Sequence, residues 1–341
     1  MKLIEYTFSG KKVKYFLDAS ISGLEDVVSR DKIIIITDEN VFQHHSELAV
    51  YKRIVIPAGE QFKTQSTVNS IIDQLVALEA DRKTFIVGVG GGVVTDITGF
   101  SASIYMRGLS FGFVPTTILA QVDASIGGKN GIDSGLYKNM VGLIRQPDFI
   151  LFDYSFLLTL GREQWINGFA EVIKHACIKD DHLFELLEQH QLDDFMNDRN
   201  LLASLIERNV IIKSDVVEKD EFETGDRKLL NFGHTIGHAI ENLYQLPHGH
   251  AISIGMVSAC FLSERLNDLH SEGRKRIEQL LKQYQLPTSL ATDNKKVFDI
   301  LKMDKKRAGS AMSFVLLNRI GEAVTRSIPL TQLEGLISEI K

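Results

Sequence analysis

The chain has 341 residues, 44% apolar and 24% charged, which is ordinary globular usage. Its 38 basic and 44 acidic residues leave a formal charge of −6, which argues against a nucleic-acid binder working through bulk positive charge, though not against an anionic small ligand. This length usually divides into about two domains, and two cysteines, Cys177 and Cys260, are too few for a disulfide framework or a multi-thiolate metal site.

The opening MKLIEYTFSGKKVKY lacks the apolar core of a signal peptide. The longest uncharged stretch, Gly108 to Val122, contains Pro115 and several polar residues, so it is no membrane span. The expectation is a soluble, cytoplasmic protein with Cys177 and Cys260 as buried free thiols.

Up to about residue 155, short β-rich runs alternate with helical patterns. The runs are IIIITD (33–38), KRIVIPA (52–58), TFIVGVG (84–90), FGFVPTT (111–117) and FILFD (149–153). Between them lie amphipathic segments such as Thr64–Ala80 and Val93–Met106. Near-continuous apolar strands separated by helices predict a parallel sheet covered on both faces, an α/β domain over 1–155. The remainder, 156–341, is mainly helical, with helices over Arg162–Ile178, Leu201–Glu218, Ile236–Tyr244 and Ile252–Leu269. One exception, 313–328, reads as a β-hairpin around Arg319–Gly321. No long linker divides the halves, so the expected arrangement is two tightly joined domains with a cleft between them.

Three constellations carry chemistry. The first is GVGGGVVTDITGF (88–100), a glycine loop that follows a strand and opens a helix. Such glycines let backbone amides approach a phosphate at a helix N-terminus. The spacing departs from G-x-G-x-x-G, and a bare strand-to-helix turn would use similar residues. Asp38 ends an apolar strand, where its carboxylate suits either ribose hydroxyls or a helix N-cap.

The second is the histidine cluster. Four of ten histidines fall in NFGHTIGHAIENLYQLPHGH, between His234 and His250. His234 and His238 are four apart, on one helical face, and two imidazoles so placed can share a divalent metal. His248 and His250 follow, and Glu171 in NGFAEVIKH offers an oxygen. Three protein ligands with an open position would make a catalytic centre. The third is a scattered basic set: Arg107, Lys129, Lys138 with Asn139, Lys174, Lys213, Arg227, and Lys305 and Lys306. Several sit beside glycines or among apolar residues, where convergent cations would suit a substrate bearing phosphate and carboxylate.

Taken together, GVGGGVVTDITGFSASIYMRG, VPTTILAQVDASIGGKN, NGFAEVIKH, RKLLNFGHTIGHAIE and HGHAISIGM resemble the 3-dehydroquinate synthase family of sugar-phosphate cyclases, from about Asp38 to Leu317. The resemblance implies a Rossmann-like N-terminal domain and a mainly helical C-terminal domain with the active site in the cleft between them, in a carbon–oxygen lyase of the shikimate pathway that uses NAD and one divalent metal, zinc or cobalt, and acts as a homodimer. It implies metal ligands Glu171, His234 and His248, with His238 on the substrate side. It implies cofactor contacts at Asp38, Asn40, Glu60, Lys63, Gly91, Gly92, Asp96, Thr116, Thr117, Lys129, Lys138, Phe156 and Thr159. Substrate contacts are implied at Asp123, Lys129, Lys138, Asn139, Lys174, Lys213, Glu223, Arg227, Asn231 and His238. Arg107 resembles an arginine that reaches a neighbouring subunit's site, and one of Lys305 and Lys306 joins the phosphate pocket. The implied substrate is 3-deoxy-D-arabino-heptulosonate 7-phosphate. Rival readings are a cyclase such as 2-deoxy-scyllo-inosose synthase, whose substrate lacks the carboxylate, and an alcohol dehydrogenase like glycerol dehydrogenase. The chain departs from the family pattern at His250, where relatives carry glutamate, and at Arg145.

Overall fold

In the computed structural model, residues 1–135, 137–291, 293–302, 307–308 and 310–339 are described; Lys305 and Lys306 lie outside them. The chain forms two compact units, Met1–Gln164 with Ala203–Phe222, and Trp165–Leu202 with Glu223–Lys341. Residues 203–219 of the long helix Arg199–Lys219, with 220–222 after it, thus group with the sheet.

The first unit is built on strands β1 (Lys2–Phe8), β2 (Lys11–Leu17), β3 (Ile33–Asp38), β4 (Lys52–Ile56), β5 (Phe85–Gly90) and β6 (Ser110–Pro115). Strands β7 (Lys129–Ser134) and β8 (Tyr137–Ile144) form a separate antiparallel hairpin, and β9 (Phe149–Phe152) returns to the main sheet. The seven-stranded order is β1-β2-β9-β6-β5-β3-β4, with every pairing parallel except β1 with β2. All five expected strands are present. The N-terminal hairpin is additional, because it alternates: Val13, Tyr15 and Leu17 are buried, while Lys12 and Lys14 are exposed and Phe16 is only partly covered. In β3, by contrast, Ile33 through Ile36 are all buried, each contributing roughly 1.5–3 kcal/mol of apolar burial. The sequence doubles back across β3: β4 lies on one side of it, β5 on the other, with β6 and β9 beyond. That β3/β5 junction is where open parallel sheets place a ligand at the carboxyl ends of their strands.

The second unit is mainly helical, with helices including Arg162–Lys179, His234–Tyr244 and His248–Leu266. Strands β10 (Arg307–Ala308), β11 (Ala311–Arg319) and β12 (Glu322–Pro329) make a small antiparallel sheet, which contains the expected hairpin. Met312, Phe314 and Leu316 alternate along β11 and pack with Ile236, Ile240, Ile254 and Leu262 of the two histidine-bearing helices. Cys177 and Cys260 are buried and free, as expected, and burial pushes both thiols up. Among the described residues, no helix is long and apolar enough to cross a membrane.

Candidate functional site

In the sheet unit, three expected segments meet at neighbouring strand ends. β3 ends at Asp38, β5 runs into Gly91 and Gly92, and β6 is followed by Thr116 and Thr117. The helix Gly92–Ile104 starts at this edge, so its first amides and positive dipole end face the space beyond the strands. The close fit explains the glycine at the strand end: a Cβ on Gly90 would lie 2.5 Å from the Val94 side chain and would push the start of the helix aside. Asp38 caps the helix Glu39–His44 by accepting from the Val41 amide at 3.0 Å. Burial raises its carboxyl pKa against that bond. Asn40 is exposed in the first turn. Thr117 accepts from the Ala120 amide at 3.1 Å, and the buried Thr116 donates its amide to Gly90.

Beside this edge lies a polar group. Buried Lys63 donates to Asp96 at 2.5 Å and to the Asn139 side chain at 2.6 Å. Burial opposes the ammonium, but Asp96 and Glu60 outweigh it and hold the Lys63 pKa above the usual range. Lys138 pairs with Glu60 at 3.4 Å, and Asp133 accepts from the Asn139 amide at 2.7 Å. Asp133 was not foreseen. Its signal was weak, since a single aspartate in a hairpin reads as a turn residue. Lys129 is exposed at the start of β7. Lys213 pairs with Asp123 at 2.9 Å, Asp123 lying in a turn of π-helix, Ala120–Ala124. Phe156 and Thr159 are drawn together differently from a surface contact. The Phe156 ring is buried against His45, centroids 4.2 Å apart, and Thr159 bonds the other edge of that imidazole at 3.0 Å. Arg107 is exposed on a turn after the helix.

The helical unit carries the histidine centre. Oε1 of Glu171 lies 3.1 Å from Nε2 of His248 and 3.4 Å from Nε2 of His234. Such separations suit neighbouring ligands on a tetrahedral ion with bonds of about 2.0–2.1 Å. Among the described residues, donor atoms of Glu171, His234 and His248 all lie within 4.8 Å of one another, and so do those of His238, Glu241 and His248. Each proposed imidazole ligand is oriented from behind. His234 Nδ1 faces the Phe232 carbonyl at 3.1 Å, and His248 Nδ1 faces Glu241 at 3.6 Å, leaving both Nε2 atoms toward Glu171. A buried carboxylate with two such imidazoles fits a divalent cation. Lys174, one turn along, is buried and paired with the other oxygen of Glu171.

Glycine makes this convergence possible. A Cβ on Gly255 would lie 2.0 Å from the Gly233 carbonyl, and one on Gly249 would lie 2.1 Å from the Asn167 carbonyl. The first contact brings the helices of His234 and His248 together; the second seats the His248 helix on the helix of Glu171. His238 sits beside the pair, its ring centroid 5.1 Å from that of His234. His250 enters neither three-residue donor group, because two residues along a helix point a side chain to another face. Arg227 is buried, and Asn231 donates to Glu223 at 2.5 Å. Glu241 was missed by sequence reasoning, although His234, His238 and Glu241 share a helical face at spacings of four and three.

Comparison with known proteins extends this picture. A solved 2-deoxy-scyllo-inosose synthase, complexed with carbaglucose-6-phosphate, NAD⁺ and Co²⁺, matches over 100% of both chains at 25% identity and TM-score 0.87. A 2-epi-5-epi-valiolone synthase from Streptomyces hygroscopicus, with NAD⁺ and Zn²⁺ bound, matches at 27% identity over 100% of this chain and 98% of its own, with TM-score 0.87. The parallel sheet joined to a helix-rich part is therefore the architecture of sugar-phosphate cyclases. Within that class, residues 53–167 match the model of the 3-dehydroquinate synthase N-terminal domain and 168–307 that of its C-terminal domain. A 3-dehydroquinate synthase of Campylobacter curvus is 39% identical over 325 residues, 92% of this chain and 93% of its own. The chain belongs to the 3-dehydroquinate synthase family.

Proposed function

We propose that this chain converts 3-deoxy-D-arabino-heptulosonate 7-phosphate to 3-dehydroquinate and inorganic phosphate, as a lyase of the shikimate pathway. The geometric observation that carries the proposal is the buried Glu171 carboxylate between the Nε2 atoms of His234 and His248. Those three residues hold a divalent cation, zinc or cobalt. Asp38, Asn40, the Gly91 and Gly92 amides, Thr116 and Thr117 hold NAD at the strand ends, with Glu60, Lys63, Asp96, Phe156 and Thr159 shaping that side. When bound, the dinucleotide accepts and returns a hydride while the cation makes a substrate hydroxyl easier to deprotonate.

The chain's own residues do the rest. Lys129, Lys138 and Asn139 bind the substrate phosphate, and Arg107 reaches the phosphate bound by a second copy in a homodimer. Arg227 and Lys213 bind the carboxylate, for which a guanidinium offers two parallel donors. Asp123 steadies Lys213. His238, beside the cation ligands, transfers protons at the reacting hydroxyls. Lys174 holds the Glu171 carboxylate, and Asn231 with Glu223 orders the neighbouring hydroxyls. The reaction runs in the cytoplasm, with one domain (1–155) for NAD and the other (156–341) for cation and substrate.

Incubation with the heptulosonate phosphate should release phosphate with no net change in nicotinamide absorbance. Steady NADH accumulation from an alcohol, without phosphate, would instead make the chain a dehydrogenase. Arg227→Ala separates the cyclases: it should raise KM for the carboxylate-bearing substrate. Unaltered affinity, with turnover of glucose 6-phosphate, would favour a substrate lacking the carboxylate.

A further inference from the structure

Nothing proposed above uses Arg145. Its main chain is fixed at the base of the β7–β8 hairpin. The Arg145 amide donates to the Gly128 carbonyl at 2.8 Å, and the Asn130 side chain donates to both the Arg145 carbonyl, at 2.9 Å, and the Gly128 carbonyl, at 2.7 Å. Gly128 and Asn130 flank Lys129. Its side chain leaves the hairpin for another segment. Nη1 meets the Ala102 carbonyl and the Ser103 hydroxyl, each at 3.4 Å, and Nη2 donates to the Leu109 carbonyl at 2.9 Å. The guanidinium lies over the buried Phe111 ring, 5.2 Å from its centroid.

Those contacts bracket the turn that carries Arg107. Met106 and Arg107 take φ of 48° and 67°, left-handed values that are costly for residues with a Cβ, and Gly108 follows at 118°. A backbone held so must be over-determined by its surroundings. The Leu109 amide closes the turn onto the Ala102 carbonyl at 2.8 Å, and Arg145 grips both of those residues through their carbonyls. We infer that Arg145 is a positioning residue, which holds the strained Met106–Gly108 turn so that Arg107 is presented to the substrate phosphate. This rests on the proposed role of Arg107.

A planar fork is needed, because the acceptors lie on two sides of the guanidinium; an ammonium on a flexible stem cannot meet them together. The test is a kinetic cycle on the full-length enzyme with Arg145→Met, Arg145→Lys, Arg107→Ala and the double variant. Arg145→Met should lower kcat/KM for the heptulosonate phosphate and weaken inhibition by inorganic phosphate, each by roughly fivefold or more, with KM for NAD unchanged. Arg145→Lys, which keeps the charge and most of the packing, should fall between. In the Arg107→Ala background, Arg145→Met should change neither quantity by more than about twofold. Losses that multiply in the double variant, or no loss in either single Arg145 variant, overturn the inference while leaving the proposed function intact. An Arg107→Ala enzyme with unaltered phosphate handling overturns both the inference and the role of Arg107.

Discussion

Nε2 of His248 stands 3.1 Å from Oε1 of Glu171, a carboxylate with no exposed surface. Burial disfavours an imidazolium there, but the carboxylates of Glu171 and Glu241 outweigh it and push the His248 pKa up to about 10. The Glu171 carboxylate between two imidazoles would suit a divalent ion in place of that proton, and binding the ion would release the proton. Chelation should therefore abolish phosphate release, and zinc or cobalt should restore it. Glu171→Gln should weaken zinc binding by more than the roughly 10–100-fold cost of losing a supporting partner. Competition with a chromophoric chelator measures this, and an unchanged affinity would remove Glu171 from the ligand set.

Glu241 stands behind His248, 3.6 Å from Nδ1, and is itself buried. Glu241→Gln keeps the shape and removes the charge that orients the ring. Zinc affinity should fall by roughly 10–100-fold, with the fold retained by circular dichroism. Equal affinity in the variant would show that the ring needs no such partner.

Gly255→Ala tests the helix contact beneath the centre. Its methyl would meet the Gly233 carbonyl at 2.0 Å, and backbone cannot yield as a flexible side chain does. The variant should lose roughly 1–3 kcal/mol of stability and should bind zinc more weakly as His234 and His248 separate. Denaturant unfolding and metal titration read the two effects. A stable variant with native affinity would mean that the helices need not approach this closely.

Lys63 and Asp96 form a largely buried ion pair at 2.5 Å. Lys63→Met leaves the carboxylate without that cation and should cost about 3–5 kcal/mol. Lys63→Met with Asp96→Leu should recover much of it. Because the Lys63 pKa is raised in the folded chain, its contribution is complete below the ordinary lysine range. It disappears as pH rises through the raised value. The stability gap between the wild-type chain and Lys63→Met should thus narrow as pH rises through that range, and a gap that stays constant to high pH would mean that the Lys63 charge contributes nothing to it.

The strands of the sheet were legible because an apolar run such as IIIITD has one stable environment, the interior of a covered parallel sheet. The N-terminal hairpin was not, since alternation with lysine gives a one-sided signal that loops also carry. His234 and Glu171 were legible as residue types suited to a cation, and spacing alone paired His234 with His238.

Sequence by itself determined the covered parallel sheet, the glycine turn after β5, the helical second half and the family. Local periodicity and short-range sterics govern each of these, and both are written in consecutive residues. Only tertiary structure decided that His248, rather than His250, faces Glu171, that Glu241 stands behind it, and that Arg145 braces the turn of Arg107. Those relations depend on how closely helices and hairpins approach. That distance is set by glycines such as Gly249 and Gly255 meeting backbone far away in the chain, a contact that no local pattern encodes.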